Sequence, residues 1–200
     1  MRIDFHTPEG SRWAMVGGVD ENGDPIENLW VAAWAANTAL GTEKADSGQG
    51  ARYVMKLAAE LDRYDGADGP LGYLWAGAAL LPPALLVFET APAQGDAVST
   101  LSMLAGLDGS IPGAVRGPDL AVPAASAVVR SDRTLAPERK GMFGKTPERH
   151  EARWALRVGP QDVLLTLGPV PPEHLAQAVA DAEALIGTLT VTDAEDAPLA

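Results

Sequence analysis

Residues 152–191 read ARWALRVGPQDVLLTLGPVPPEHLAQAVADAEALIGTLTV, and this stretch decides the fold. In its first part Trp154, Leu156 and Val158 alternate with Ala155 and Arg157, the two-residue period of a half-buried strand. Gly159-Pro160-Gln161-Asp162 then turns the chain, and Val163, Leu165 and Leu167 share one face of a second strand. Pro171-Pro172 opens a helix, where a missing backbone N–H costs nothing. Leu175, Ala178, Val179, Ala182, Leu185 and Ile186 form its inward stripe, and Gly187 closes it. Leu189 to Val191 returns as a short strand. A hairpin with a helix laid on it requires strands on one layer and helices on another.

Working outward, the same reading applies with less contrast. Pro123 to Arg130 reads as a strand, followed by a long polar loop from Ser131 to His150. A helix is expected from about Ala97 to Leu107, with Val98, Leu101, Leu104 and Ala105 inward. Leu71 to Ala78 and Ala84 to Ala91 are apolar on both faces, so they read as strands covered on both sides, joined through Pro82-Pro83. Ala51 to Tyr64 carries Val54, Leu57, Ala58 and Leu61 at helical spacing, and Gly66 stops it.

A helix is expected to start at Asp24-Pro25-Ile26-Glu27, with Asp24 as cap and Glu27 at the capping-box position. Leu29, Trp30, Ala33, Trp34 and Asn37 trace one face of it and Gly41 ends it. Gly41 to Gly50 reads as a loop. At the start, Arg2 to His6 is a strand, Thr7-Pro8-Glu9-Gly10 a turn, and Arg12 to Val16 a second short extended piece. The expected fold is an α/β (α+β) sandwich, a mostly antiparallel sheet flanked by helices with a helical insertion after the first strand. It is one domain over residues 1–192, with the insertion at about 14–68 and an acidic, disordered tail at 193–200.

The opening RIDFHTPEGSRW, the strand ALLVFETAP followed by STLSMLAGL, and the hairpin with its helix occur in an order that resembles the PsbP-like α/β superfamily. Within it the pattern looks most like actinobacterial LpqN-type proteins, over about Arg2 to Trp13 and Leu71 to Thr192. The resemblance implies an accessory or binding role and brings no catalytic residues with it. Two departures stand out. LpqN-type proteins are usually exported lipoproteins, whereas this sequence shows no signal-peptide pattern and contains no cysteine, and its residues 14–68 are the helical insertion.

Composition narrows the chemistry. The 200 residues carry a formal net charge of −12, which disfavours a general nucleic-acid binder. The absence of cysteine removes disulfides, thiolate metal sites, a cysteine nucleophile and a lipidated N-terminal Cys. The uncharged run Gly69 to Phe88 is long enough for a bilayer, yet Pro82-Pro83 would break its helix, so no membrane span and a cytoplasmic location are expected.

Gly144-Lys145-Thr146 has Arg139 where a phosphate loop needs its first glycine. Asp20, Asn22 and Asp24 imitate a calcium loop, but Pro25 stands at its sixth position and Val31 at its twelfth. His6, His150 and His174 have no paired-ligand spacing, and no serine sits in a nucleophile elbow. No catalytic residue, cofactor or metal is expected.

Two features point to binding. Arg130, Arg133, Arg139, Lys140, Lys145, Arg149, Arg153 and Arg157 are eight of the fifteen basic residues, and with four acids among them residues 130–157 carry +4 against −16 elsewhere. Such a segment either lies on the acidic body or docks an acidic partner. Trp30 and Trp34 either pack the insertion onto the sheet or stand out as interface anchors. The expected function is a non-catalytic protein-binding accessory factor, an adaptor or chaperone for a partner or a secretion-type or other multiprotein machine, with a partner site at Trp30, Trp34, Arg133, Arg139, Lys140, Lys145 and Arg149. The alternatives are a carrier of a small apolar ligand, in a sheet–helix cavity beneath Leu71 to Val87, and an enzyme without a local signature.

Overall fold

The hairpin at 149–170 is the centre of the molecule. In the computed structural model, which describes residues 2–16, 27–62, 72–136, 139–140, 144–145 and 148–192, Arg149–Val158 (β9) pairs antiparallel with Gln161–Val170 (β10). Gly159, at φ +55°, takes the first position of the two-residue connection, where the mirror-image hairpin turns place a positive φ.

Ahead of this hairpin come β1 (Arg2–Asp4), β2 (Trp13–Val16), α1 (Asn28–Leu40), α2 (Thr42–Ala45), α3 (Gly48–Leu61), β3 (Gly72–Trp75) and β4 (Leu85–Pro92). Next are α4 (Ala97–Leu104), β5 (Val115–Arg116), β6 (Ala127–Leu135), β7 (Arg139–Lys140) and β8 (Gly144–Lys145). After the hairpin come α5 (Pro172–Ile186) and β11 (Thr190–Thr192). Seven strands form one antiparallel sheet in the order β2-β3-β4-β10-β9-β6-β5. β1 pairs with β11 in a second, two-stranded sheet. The architecture is α+β, an open sheet flanked by helices, and the inserted helices follow the first strand of the large sheet.

One face of the sheet lies against α5. Trp75, Leu86, Trp154, Leu156, Val163, Leu165 and Leu167 pack there with Ala178, Ala182, Leu185 and Ile186 of the helix. The inward stripe of α5 is the one its sequence predicts. Three indoles are also fixed by their N–H groups. Trp13 Nε1 donates to the Asp181 carbonyl at 3.0 Å, Trp75 Nε1 to Asp181 Oδ2 at 2.8 Å, and Trp154 Nε1 to Glu183 Oε1 at 3.4 Å. A buried indole N–H left without an acceptor would be costly, so Asp181 and Glu183 turn toward the sheet rather than to water.

The opposite face holds two separate clusters. Val16, Leu74 and Leu85 meet α1 and α3, and farther along Val129 and Ala155 meet Leu101 and Ala105 at α4. In α1 the buried residues are Asn28, Val31, Ala32, Ala35 and Ala36, so the face expected from Leu29, Trp30 and Trp34 is the outer one. Residues 28–40 are apolar all round, so period alone cannot choose a face. Small side chains let the helix sit close to the sheet and α3, while Leu29 and Trp30 turn outward and Trp34 is half-buried.

Other expectations shift in extent. Gly41 ends α1 at φ +79°, with its N–H on the Asn37 carbonyl. The loop expected from Gly41 to Gly50 contains α2 and the start of α3, whose N-cap Ser47 accepts from the Gly50 N–H. Val98, expected inward, is exposed on α4. Of the polar loop expected at 131–150, most of the described residues are strand: β6 runs to Leu135, β7 and β8 are short strands, and β9 begins at Arg149, with β6 and β9 in continuous register from Ala127–Arg157 to Leu135–Arg149. An ion pair across these strands, Arg133 on Glu151, stands in place of the apolar pattern that marks a strand in sequence. The imitation calcium loop, the Asp24 cap, Gly66 and the acidic tail lie outside the described residues.

Candidate functional site

Both ends of the expected partner site can be placed. Trp30, at 62% exposure, and half-buried Trp34 stand on α1, one turn apart. Together they border a groove of about 430 Å³ whose other wall comes from the first strands. Phe5, Pro8, Trp13, Met15 and Tyr73 line that wall. The Phe5 ring meets Tyr73 edge-on at 6.1 Å and Phe88 at 5.7 Å, which fixes the groove's floor. Burial raises the Tyr73 hydroxyl above its ordinary pKa and Asp4 adds to the shift, so the phenol stays neutral.

A neighbouring groove of about 400 Å³ shares Pro8, Gly10, Ser11 and Trp13 and continues to Arg12, Gln177 and Asp181. Asp181 accepts from Arg12 Nη1 at 3.2 Å and from Gln177 Nε2 at 2.8 Å, so its carboxylate is held on three sides. Segment 7–12 is therefore a ridge between an aromatic groove and a polar one.

The basic segment is not one surface. Arg130 lies on the α5 face, 5.5 Å over the Trp154 ring, bonded to Asp132 and to Glu183 Oε1 at 2.6 Å. Arg157 forks onto Asp162, with contacts at 2.8 and 3.0 Å, and also reaches the Gln94 and Gly95 carbonyls. Hydrogen bonding to Asp162 raises the Arg157 pKa still further. Arg133 and Arg153 share Glu151 on the face opposite α5: Arg133 Nε at 2.8 Å, Arg133 Nη2 at 2.9 Å and Arg153 Nε at 2.8 Å. Burial pushes the Glu151 carboxyl up, but the two guanidinium groups outweigh it and hold it below the usual carboxylate range.

Of the other basic residues expected in the partner site, Arg149 is on β9, and Arg139, Lys140 and Lys145 belong to the two-residue strands β7 and β8. The side chains of these last three are not described. Trp30 and Arg133 do not meet in one small site. The strands beneath them, β2 and β6, stand five positions apart in the sheet, about 24 Å at the usual strand spacing.

Sequence reasoning missed the groove wall, since Phe5, Met15 and Tyr73 are far from α1 in sequence and carry no shared pattern. Glu151 and Arg153 were within reach. Arg149, Glu151, Arg153 and Arg157 occupy alternate positions of β9, and Ala152, Trp154, Leu156 and Val158 occupy the others.

The three histidines remain apart: His6 beside Thr190, His150 beside Thr134 and Glu148, and His174 against Trp75. Among the described residues no group of three His, Cys, Asp or Glu is placed to hold a metal, and no helix is long and apolar enough to cross a membrane.

These features define an α+β protein with an open antiparallel sheet, helices on both faces and an aromatic groove at one edge. No family model matches the chain, and neither does any curated protein. Among solved structures, the crystal structure of LpqN involved in cell envelope biogenesis of Mycobacterium tuberculosis is similar at a TM-score of 0.47 and 12% identity, over 96% of this chain and 83% of that chain. It is a distant match beside the expected LpqN-type resemblance, and it does not bear on the wider PsbP-like superfamily.

Proposed function

We propose that this protein is a non-catalytic binding factor, adaptor or chaperone-like, that holds an apolar segment of a partner protein in the groove between α1 and the β1–β2 region. One observation supports it above the rest: Trp30 stands 62% exposed at the rim of an aromatic groove, on a helix whose contact with the body is made by smaller residues. Tryptophan at the edge of an apolar recess is the residue type that dominates interface energetics. The basic residues of β7, β8 and β9 then steer an acidic flank of the same partner.

Affinity co-purification from the native source, with quantitation of the retained protein, tests this. Wild type should retain one partner at stoichiometric level, and Trp30→Ala with Trp34→Ala should retain about tenfold less. Equal retention by the double variant removes the groove from the function.

A second reading, a small apolar ligand, is favoured by the groove's size, which falls in the range of small-molecule sites. It would occupy this groove and not the space beneath Leu71 to Val87, because Leu74, Trp75, Leu80, Ala84, Leu85 and Leu86 are buried in the two cores. Native mass spectrometry of freshly purified protein should then show added mass that the Trp30→Ala variant loses.

A further inference from the structure

On the face opposite α5, a polar strip lies between the cluster under α1 and α3 and the cluster under α4. Register builds it. Thr166 of β10 stands opposite Arg153 of β9, which stands opposite Ser131 of β6, and in the next row Glu151 stands opposite Arg133. Arg149, two residues before Glu151 on the same strand, projects to the same face.

Three guanidinium groups thus share one strip with a single carboxylate. Glu151 takes two nitrogens of Arg133 and one of Arg153. That leaves Arg133 Nη1 and both terminal nitrogens of Arg153 without an acceptor among the described residues. The Arg149 Nη1 atom is buried and also meets no acceptor. An unsatisfied buried donor is costly, and more so when it is charged.

We infer that this strip is an anion site taking a phosphomonoester group. Arg133, Arg149 and Arg153 against Glu151 carry +2, and Arg116, opposite Ser131 in the same row, is paired with Asp119, so the strip matches a group carrying about −1.5 to −2 at neutral pH. Planar guanidinium forks fit phosphate oxygens in pairs, and Thr166 adds a hydroxyl in the same row. Glu151 holds Arg133 and Arg153 in position so that their remaining donors face the ligand. The site is independent of the Trp30 groove and stands or falls separately from it.

The test is isothermal titration of the full chain with inorganic phosphate at constant ionic strength, alongside flotation with vesicles containing phosphatidate. Wild type should bind one of these probes saturably. Arg149→Gln should weaken that binding about tenfold or more, Arg149→Lys should restore part of it, and Arg12→Gln, bonded to Asp181 on the α5 side, should leave it unchanged. Among the described residues Arg149 Nη1 has no hydrogen bond to lose, and circular dichroism checks that the variants keep the fold. Saturable phosphate binding assigns a small-molecule source, and binding confined to phosphatidate vesicles assigns a lipid headgroup. No saturable binding of either probe, or equal binding by Arg149→Gln, overturns the site.

Discussion

On the α5 face of the large sheet, Trp13, Trp75 and Trp154 are at most 5% exposed, and each indole N–H ends on an oxygen of the helix. On the opposite face, α1 makes its contact through Val31, Ala32, Ala35 and Ala36, Trp30 stands in solvent, and an Arg-Glu-Arg cluster runs between two helical clusters. The same residue type does different work on the two sides. Under α5, tryptophan supplies both area and a directed polar contact, which fixes one arrangement of helix on sheet. On α1, alanine supplies the contact, and tryptophan adds surface that folding leaves uncovered. The α5 face is closed by buried indoles, and the α1 face leaves Trp30 in solvent.

The largest expected effect breaks the α5 side of this comparison. Trp154→Ala removes a fully buried ring and strips the face over which Arg130 lies, and should destabilise the protein by about 3–5 kcal/mol. Asp181→Ala is next. It deletes the carboxylate that accepts from Trp75, Arg12 and Gln177 but keeps the carbonyl that holds Trp13, for an expected loss of about 1–3 kcal/mol. Urea denaturation of both variants checks the order. A smaller loss for Trp154→Ala than for Asp181→Ala would mean that the polar contacts and not the buried area fix α5.

How much of this was legible depended on which interaction carried each element. β9, β10 and α5 were readable because Trp154, Leu156, Val158 and the stripe from Leu175 to Ile186 obey one period each. Residues 131–135 read as loop because their strand is held by Arg133 on Glu151 of β9 and Arg130 on Glu183 of α5, pairs that propensity does not register. Which face of α1 turns inward stays open in the sequence for a different reason. Size decided it, and periodicity records hydrophobicity without size. The groove joins residues 5, 15 and 73 to residue 30, a long-range juxtaposition in which the register of β2 with β3 sets Met15 opposite Tyr73.

A moderate effect sharpens the other side. The folded-state pKa of Glu151 is lowered, so its contribution to stability is fully present above its unfolded value, about 4.3, and is lost as pH falls through the folded value. Glu151→Gln should therefore cost about 1–2 kcal/mol at neutral pH and progressively less in acid. Denaturation at a series of pH values checks this: the curves for wild type and variant should converge below about pH 4.3. A gap that persists at low pH would mean that Glu151 acts through packing and not through its charge.

The smallest effect on stability is the one on which the comparison depends. Trp30→Ala removes a side chain with most of its area already in water, so the folded and unfolded states lose nearly the same contacts. Its stability should stay within about 0.5 kcal/mol of wild type. A loss near that of Trp154→Ala would show that Trp30 is covered in solution and that the α1 face is closed like the α5 face. An unchanged stability together with lost partner retention is the combination that separates recognition from folding, because a residue that holds the fold cannot be removed without cost. Trp34, half-buried against the α1 cluster, should fall between the two, losing both some stability and some binding.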